Sequence, residues 1–426
     1  MEPSSLLYAR SGAPRRAILA GGGLTMVAKL WGGPAWAGER PARLGSQPVK
    51  PTATAAAALP SMQEIHDKEA RVRALMARHK LDALLLRRVS SFAWATGGVA
   101  SYINTAVETG EAALLYTPSG RHLVTSNIEA PRLLHEAGLQ DQGWEPLVGP
   151  WYQGGATELV AQRTRGLRLG ADGPGAEAVD VSAELARLRA SLSPEEAGRF
   201  RALGRLCAEA MHAAIQKIRP GQSEHALASF LADEAIRRGV WPIVDLVATD
   251  QRIFDYRHPL PTDKTLSRYA MLVLCGRRFG LVCSLTRLVH FGRLSDELRR
   301  KQQAVAEVDA AFLAATRPGA TLAQVFARGV AAYEKTGFAN EWHLHHQGGA
   351  AGYEPREYLG TPTAADVVAT NQVFAWNPSI TGCKSEDSIL IGASGNEVLT
   401  EIPAMPTLTI ELDGHTYRRP AILEVL

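Results

Sequence analysis

Between Glu341 and Asp387 the chain concentrates residues able to do chemistry. The stretch opens with Trp342-His343-Leu344-His345-His346-Gln347-Gly348-Gly349, passes through Gly352-Tyr353-Glu354-Pro355-Arg356-Glu357, and closes with Ala375-Trp376-Asn377-Pro378 and Lys384-Ser385-Glu386-Asp387. Imidazoles, carboxylates, an amide and cations alternate there with apolar, strand-like runs, and burying so much polarity is costly unless it is paired or put to use. On an expected strand, His343 and His345 share one face and His346 takes the other. With Glu386, and with His258 from Tyr256-Arg257-His258-Pro259, these histidines are candidate ligands for one zinc-like ion. The plainer alternative is a set of hydrogen-bonded cleft histidines, and either way imidazoles carry protons near neutral pH.

These residues need a scaffold, and the chain is long enough to supply two domains. At 426 residues it exceeds one ordinary core. Its 46 basic residues against 43 acidic ones make no field suited to nucleic acid, so the expected partner is a small molecule or short peptide. Residues 61–185 read as a small mixed domain, with a helix from Gln63 to His79, a strand from Leu81 to Leu86 and a hairpin of Ala112–Tyr116 with Leu123–Thr125 around Thr117-Pro118-Ser119-Gly120. A helix from Asn127 to Glu136 is expected to follow. The second domain, 190–426, starts with the helix signal Ser193-Pro194-Glu195-Glu196. It carries a faint duplication, because Arg219-Pro220-Gly221-Gln222-Ser223 recurs as Arg317-Pro318-Gly319-Ala320-Thr321. Each copy reads as helix, Pro-Gly turn and Ser/Thr-capped helix. The fold class is therefore α+β, with a pseudo-symmetric second domain and a cleft between its halves.

The first 37 residues read as an export signal. Arg15-Arg16 precedes the short, weakly apolar run Ala17–Ala28, and Ala35-Trp36-Ala37 supplies small residues for cleavage. The run is too short to span a bilayer, so no membrane span is expected in the mature chain. This resembles a twin-arginine signal, which implies a periplasmic or secreted protein. Residues 38–60, rich in proline and alanine, read as a linker. Cys207, Cys275, Cys283 and Cys383 lack the spacing of a zinc or redox motif; buried thiols are expected, with a Cys275–Cys283 hairpin bridge as the alternative.

Taken together, residues 61–426 resemble the pita-bread family of creatinase, prolidase, Xaa-Pro aminopeptidase and methionine aminopeptidase. The signposts are Lys80-Leu81-Asp82-Ala83-Leu84-Leu85-Leu86 and Phe92-Ala93-Trp94-Ala95-Thr96-Gly97 in the first domain. In the second they are Arg219-Pro220-Gly221, His258, Gly280, Thr286-Arg287, Gly348 to Gly352, Asn377-Pro378 and Glu386-Asp387. The resemblance implies a creatinase-like two-domain architecture, a homodimer and hydrolysis of a carbon–nitrogen bond. The family's metallopeptidases hold two divalent ions through two aspartates, one histidine and two glutamates. Here those positions fall on Val273, Ser284, Gly349, Asn377 and Glu386, so a single carboxylate remains. The resemblance thus implies no metal or one divalent ion, held if at all by His343, His345 and Glu386. By the metal-free precedent of creatinase, His258 and His345 would carry protons and Glu386 would hold a cation. Asn377 would donate to an oxyanion, and Arg287, Glu354, Arg356, Glu357 and His343 would bind substrate. A non-catalytic binding protein and an Xaa-Pro peptidase with displaced ligands are the alternatives.

Overall fold

The computed structural model describes residues 60–175 and 177–426; the expected signal and nearly all of the linker lie outside the described residues. The first helix of the described residues is Met62–Arg78, whose N-cap Ser61 hydroxyl accepts from the Glu64 amide. A six-stranded mixed sheet follows, in the order Glu145–Gly149, Gly120–Ser126, Thr109–Thr117, Ala83–Arg88, Leu169–Ala171, Val179–Asp180. Its central hairpin pairs Thr117 with Gly120 and runs longer than the sequence pattern marks. The helix expected from Asn127 shrinks to the turn Arg132–Glu136, because Pro131 leads a segment that has only Leu133 to bury.

The helix Pro194–Ile215 links this layer to the remainder, and its core residues form one continuous apolar cluster with those of the six-stranded sheet. Its start is a reciprocal cap between Ser193 and Glu196, an arrangement repeated by Thr321 and Gln324 on the helix Leu322–Lys335. Each such cap contributes about 1 kcal/mol. The duplication persists at the level of single hydrogen bonds. Gly221 N donates to Leu266 O and Leu266 N to Gln222 O; in the second copy Gly319 N donates to Val368 O and Val368 N to Ala320 O. Both turn glycines have positive φ, 89° and 92°, which a side chain would resist.

Each half contributes a sheet. The first has the order Leu423–Val425, Leu281–Phe291, Tyr269–Arg278, Trp241–Thr249; the second has Tyr358–Leu359, Gly348–Ala351, Val373–Trp376, Asp387–Ile391, Asn396–Val398. The long hairpin of the first sheet closes through the two-residue turn Phe279-Gly280, with φ of 51° and 74°. The two sheets are joined by an isolated β-bridge between Thr286 and Glu386, where Thr286 N donates to Glu386 O at 3.2 Å, and by Ser388 Oγ, which accepts from Ser284 N. That seam between the halves is where the polar residues gather.

The cysteine bridge is corrected by register. Cys275 pairs with Ser284 and Gly276 with Cys283, so the two thiols project from opposite faces of the hairpin. All four cysteines are free and buried. Among the described residues no helix is long and apolar enough to cross a membrane.

Candidate functional site

Two neighbouring segments bring the histidines together. His258 sits on the loop that follows the short helix Gln251–Asp255. Buried Glu224 tethers this loop by accepting from Thr262 N at 3.0 Å and Thr262 Oγ1 at 2.8 Å, and Asp250 anchors its far end through Lys264 Nζ at 2.9 Å. The opposing turn Glu341–Leu344 is pinned by the Glu341 carboxylate, which accepts from Thr381 N and from Arg257 Nη2, next door to His258. The Gln347 amide folds the chain back by donating to Trp342 O and His345 O, while its own oxygen accepts from Tyr333. As a result His345 Nε2 lies 2.9 Å from His258 Nε2, and the His346 ring stacks on that of His345. His258, His345 and His346 each offer a ring nitrogen within 4.8 Å of the others; His345 is buried and the other two reach solvent.

This geometry changes the expected set. The segment at His343 is a helical turn rather than a strand, so His343 and His345 do not share a face. His343 is exposed and stacks on Trp342 at 3.6 Å, away from the other imidazoles, and His346 takes the place expected for it. The turn wins because the Gln347 amide satisfies backbone carbonyls that a strand would need a neighbour to satisfy.

Below the histidines lies Glu386, 2% exposed. Its carboxylate accepts from Thr286 Oγ1 at 2.6 Å, from Arg356 Nη2 at 3.0 Å and from Lys384 Nζ at 2.9 Å. Burial alone would raise its pKa, but Lys384, then Arg356, with the Thr286 hydroxyl, hold it at about 2. The same cations act on the imidazoles in the opposite sense. Burial and then Lys384 push His345 down to about 2; burial, then Arg356, His258 and Lys384 push His346 to about 4. His258 is lowered as well, by burial first and Lys384 second. At neutral pH the site therefore holds neutral imidazoles above a carboxylate between two cations.

Several expected substrate contacts have other tasks. Arg287 is 2% exposed and donates to Asp387 Oδ1, Thr400 O, Thr286 O and Glu386 O, which leaves it no reach toward a ligand. Glu357 forms a buried pair with Arg189 at 2.6 Å and accepts from Tyr353 N, so it shapes the loop that presents Arg356. Glu354 lies half-buried on the Arg189 side of that loop and carries no hydrogen bond to the site. Asn377 is buried beside Gly348, with its amide oxygen unpartnered. Lys384 is an ion-pair partner of Glu386, and His346, expected on the face opposite His343 and His345, joins the imidazole cluster instead. Lys384 stands two residues from Glu386, the spacing that puts both on one face of an extended chain, and that period was the available signal.

The positions expected to carry metal ligands do not fit a pair of divalent ions. Val273 is apolar and buried, and Ser284 Oγ accepts from Arg356 while donating to Cys275 Sγ. Any side chain at Gly349 would set its Cβ 2.1 Å from Tyr358 O, so the strand pairing leaves no room for a histidine. The one carboxylate, Glu386, is already surrounded by internal cations, whereas hard divalent ions need several anionic oxygens.

Comparison with known proteins agrees with this architecture. Residues 198–393 match metallopeptidase family M24. An uncharacterized peptidase of Staphylococcus aureus is 25% identical over 236 residues, covering 52% of this chain and 65% of that relative, short of two thirds of its length. Agropine synthesis cyclase of Rhizobium rhizogenes is 31% identical over 140 residues, 31% of this chain and 35% of the relative. Among solved structures, an Xaa-Pro dipeptidase from Bacillus anthracis superposes with a TM-score of 0.69 at 19% identity, covering 85% of this chain and all of that one.

Proposed function

We propose that this chain, whose residues 198–393 are a metallopeptidase family M24 domain on a pita-bread fold, is an exported hydrolase that cleaves a carbon–nitrogen bond without the family's dinuclear metal centre. Its substrate is a small amino-acid derivative or short peptide. The observation that carries the reading is Glu386 held between Lys384 and Arg356, with the neutral pair His258–His345 near enough to feel these charges. Fixed cations in a buried site supply the positive charge that an oxyanion needs, in the absence of water to screen it.

The roles follow from exposure and protonation. His258, neutral and open to solvent, accepts a proton from the attacking water and returns it to the leaving nitrogen. His345 orients it through the 2.9 Å contact and stays neutral, because burial beside Lys384 resists a second proton. The unpartnered atom of buried Asn377 is its amide oxygen, an acceptor, so it adds no donor for an oxyanion. The partial likeness to agropine synthesis cyclase supports a site whose work extends beyond peptides. Assay of the mature chain against Xaa-Pro dipeptides and amide- or guanidino-linked acids, with and without chelator, tests this. Chelator-resistant turnover abolished by His258→Ala is expected; turnover that requires added divalent ion contradicts it.

One observation favours binding without catalysis. The void beside His345, Ser379 and Lys384 measures about 10 Å³, room for one water at most, so a substrate has to move side chains to reach the cations. Saturable binding with no turnover across the panel would establish that second reading.

A further inference from the structure

We propose that the cavity between the strand Asn396–Val398 and the hairpin of Thr407–Leu412 with His415–Pro420 is a second binding site, which takes a small carboxylic acid with an apolar body and holds its charged end on Arg317. The inference goes beyond the hydrolase reading and does not depend on it, since Lys384, Glu386 and the three clustered imidazoles do not line this cavity.

The duplicated turn supplies the first argument, because its two copies use the same arginine differently. In the first copy Arg219 folds back on the end of its own helix, where Nη1 donates to Gln216 O at 2.8 Å and to Ile218 O at 2.6 Å. In the second copy Arg317 gives its helix end only Nε, on Ala314 O at 3.1 Å, and turns Nη2 away to Tyr417 Oη at 3.2 Å on the hairpin. That contact fixes the guanidinium plane at the cavity wall. Its Nη1 group and the Tyr417 O–H then have no acceptor among the described residues. Neighbouring donors on a planar cation suit the two oxygens of a carboxylate.

Size and lining are the second. The cavity measures about 420 Å³, the scale of sites for small organic molecules. Leu313, Val398, Ile402 and Met405 line it, so a molecule held by its charged end lays the remainder on apolar surface. Of the three lining guanidinium groups, Arg287 is paired with Asp387, and Arg418 stands 3.6 Å from Glu401. Arg317 is the one without a carboxylate partner among the described residues, and a ligand carboxylate supplies what the chain does not. Asp387 belongs to the same wall, and the alternation of an extended chain turns it away from Glu386. The occupant therefore sits behind the strand whose other face meets Lys384.

The test titrates indole-3-propionate and its neutral isostere indole-3-propanamide into the full chain by calorimetry. The acid is expected to bind about tenfold more tightly than the amide, a preference lost in Arg317→Met and kept in Lys384→Met. Tyr417→Phe removes one donor and should weaken the acid by about threefold while leaving the amide unchanged. Circular dichroism and thermal melting establish which variants fold, and Tyr417→Phe decides the matter if Arg317→Met does not. No saturable binding of the acid, equal binding of acid and amide, or a preference undiminished in both Arg317→Met and Tyr417→Phe overturns the proposal. A preference lost in Lys384→Met overturns it as well, since the acid then occupies the seam. Turnover of the amide- and guanidino-linked panel bears on the hydrolase alone, so either reading can fail without the other.

Discussion

Glu386 and Asp387 are consecutive residues with opposite surroundings. Asp387 belongs to a balanced cluster in which Arg419, fully buried, bridges Asp387 Oδ2 at 2.7 Å and Asp309 Oδ2 at 2.8 Å, while Arg287 and Thr400 hold Asp387 Oδ1. Two arginines face two aspartates there, and Ser385 closes on Asp309 at 2.5 Å. Across the same strand Glu386 faces two cations alone, with unmatched N–H donors and neutral imidazoles beside them. Alternation of side chains along an extended chain separates the two environments by one residue. The balanced side has the form of a structural lock; the unbalanced side retains charge and donors for a ligand.

The two sides answer mutation differently. Asp387→Asn leaves two buried arginines against one aspartate and should cost about 3–5 kcal/mol in chemical denaturation, enough to impair folding. Lys384→Met restores neutrality on the other side, and a loss of about 1 kcal/mol is expected, with Glu386 still held by Arg356 and Thr286. Equal losses in the two variants would erase the distinction. His258→Ala should lower turnover of whichever panel compound is hydrolysed by about 10²–10⁴-fold with an unchanged melting temperature.

A subtler effect belongs to His345. Its folded pKa, near 2, lies below that of an unfolded histidine, so the unfolded chain binds the extra proton. The associated stability is complete above the unfolded value of about 6.5 and is lost progressively as pH falls toward 2. Relative to the parent chain, His345→Gln should therefore gain about 2 kcal/mol between pH 8 and pH 5, read from denaturation curves at both. No relative gain would mean that His345 is not held neutral. Smallest of all, His343→Ala should leave turnover unchanged and shift stability by less than about 0.5 kcal/mol, since the ring is exposed on Trp342.

Much of this arrangement is legible in the residues themselves. The repeated Arg-Pro-Gly turns announce the two halves, and Glu386, His258, His345 and Arg356 stand out by type and context. Charge balance is not legible, because it depends on partners far apart in the chain. Arg287 reads as a clamp until Asp387 and Thr400 occupy it, and Glu357 reads as a ligand contact until Arg189, 168 residues away, claims it. The pairing of Lys384 with Glu386 is suggested by their spacing, but its burial is supplied only by the fold. The place of His343 is hidden for a local reason, since nothing in Trp-His-Leu-His-His signals the Gln347 bonds that bend the segment into a turn.

The counter-ions of Glu386 are Lys384 and Arg356. Titration of Mn²⁺, Co²⁺ and Zn²⁺ into the chain, purified without chelators, and into Glu386→Gln tests this directly by calorimetry and native mass spectrometry. No stoichiometric ion whose binding depends on Glu386 is the expected result. Two ions per chain in the parent, lost in Glu386→Gln, would contradict the account.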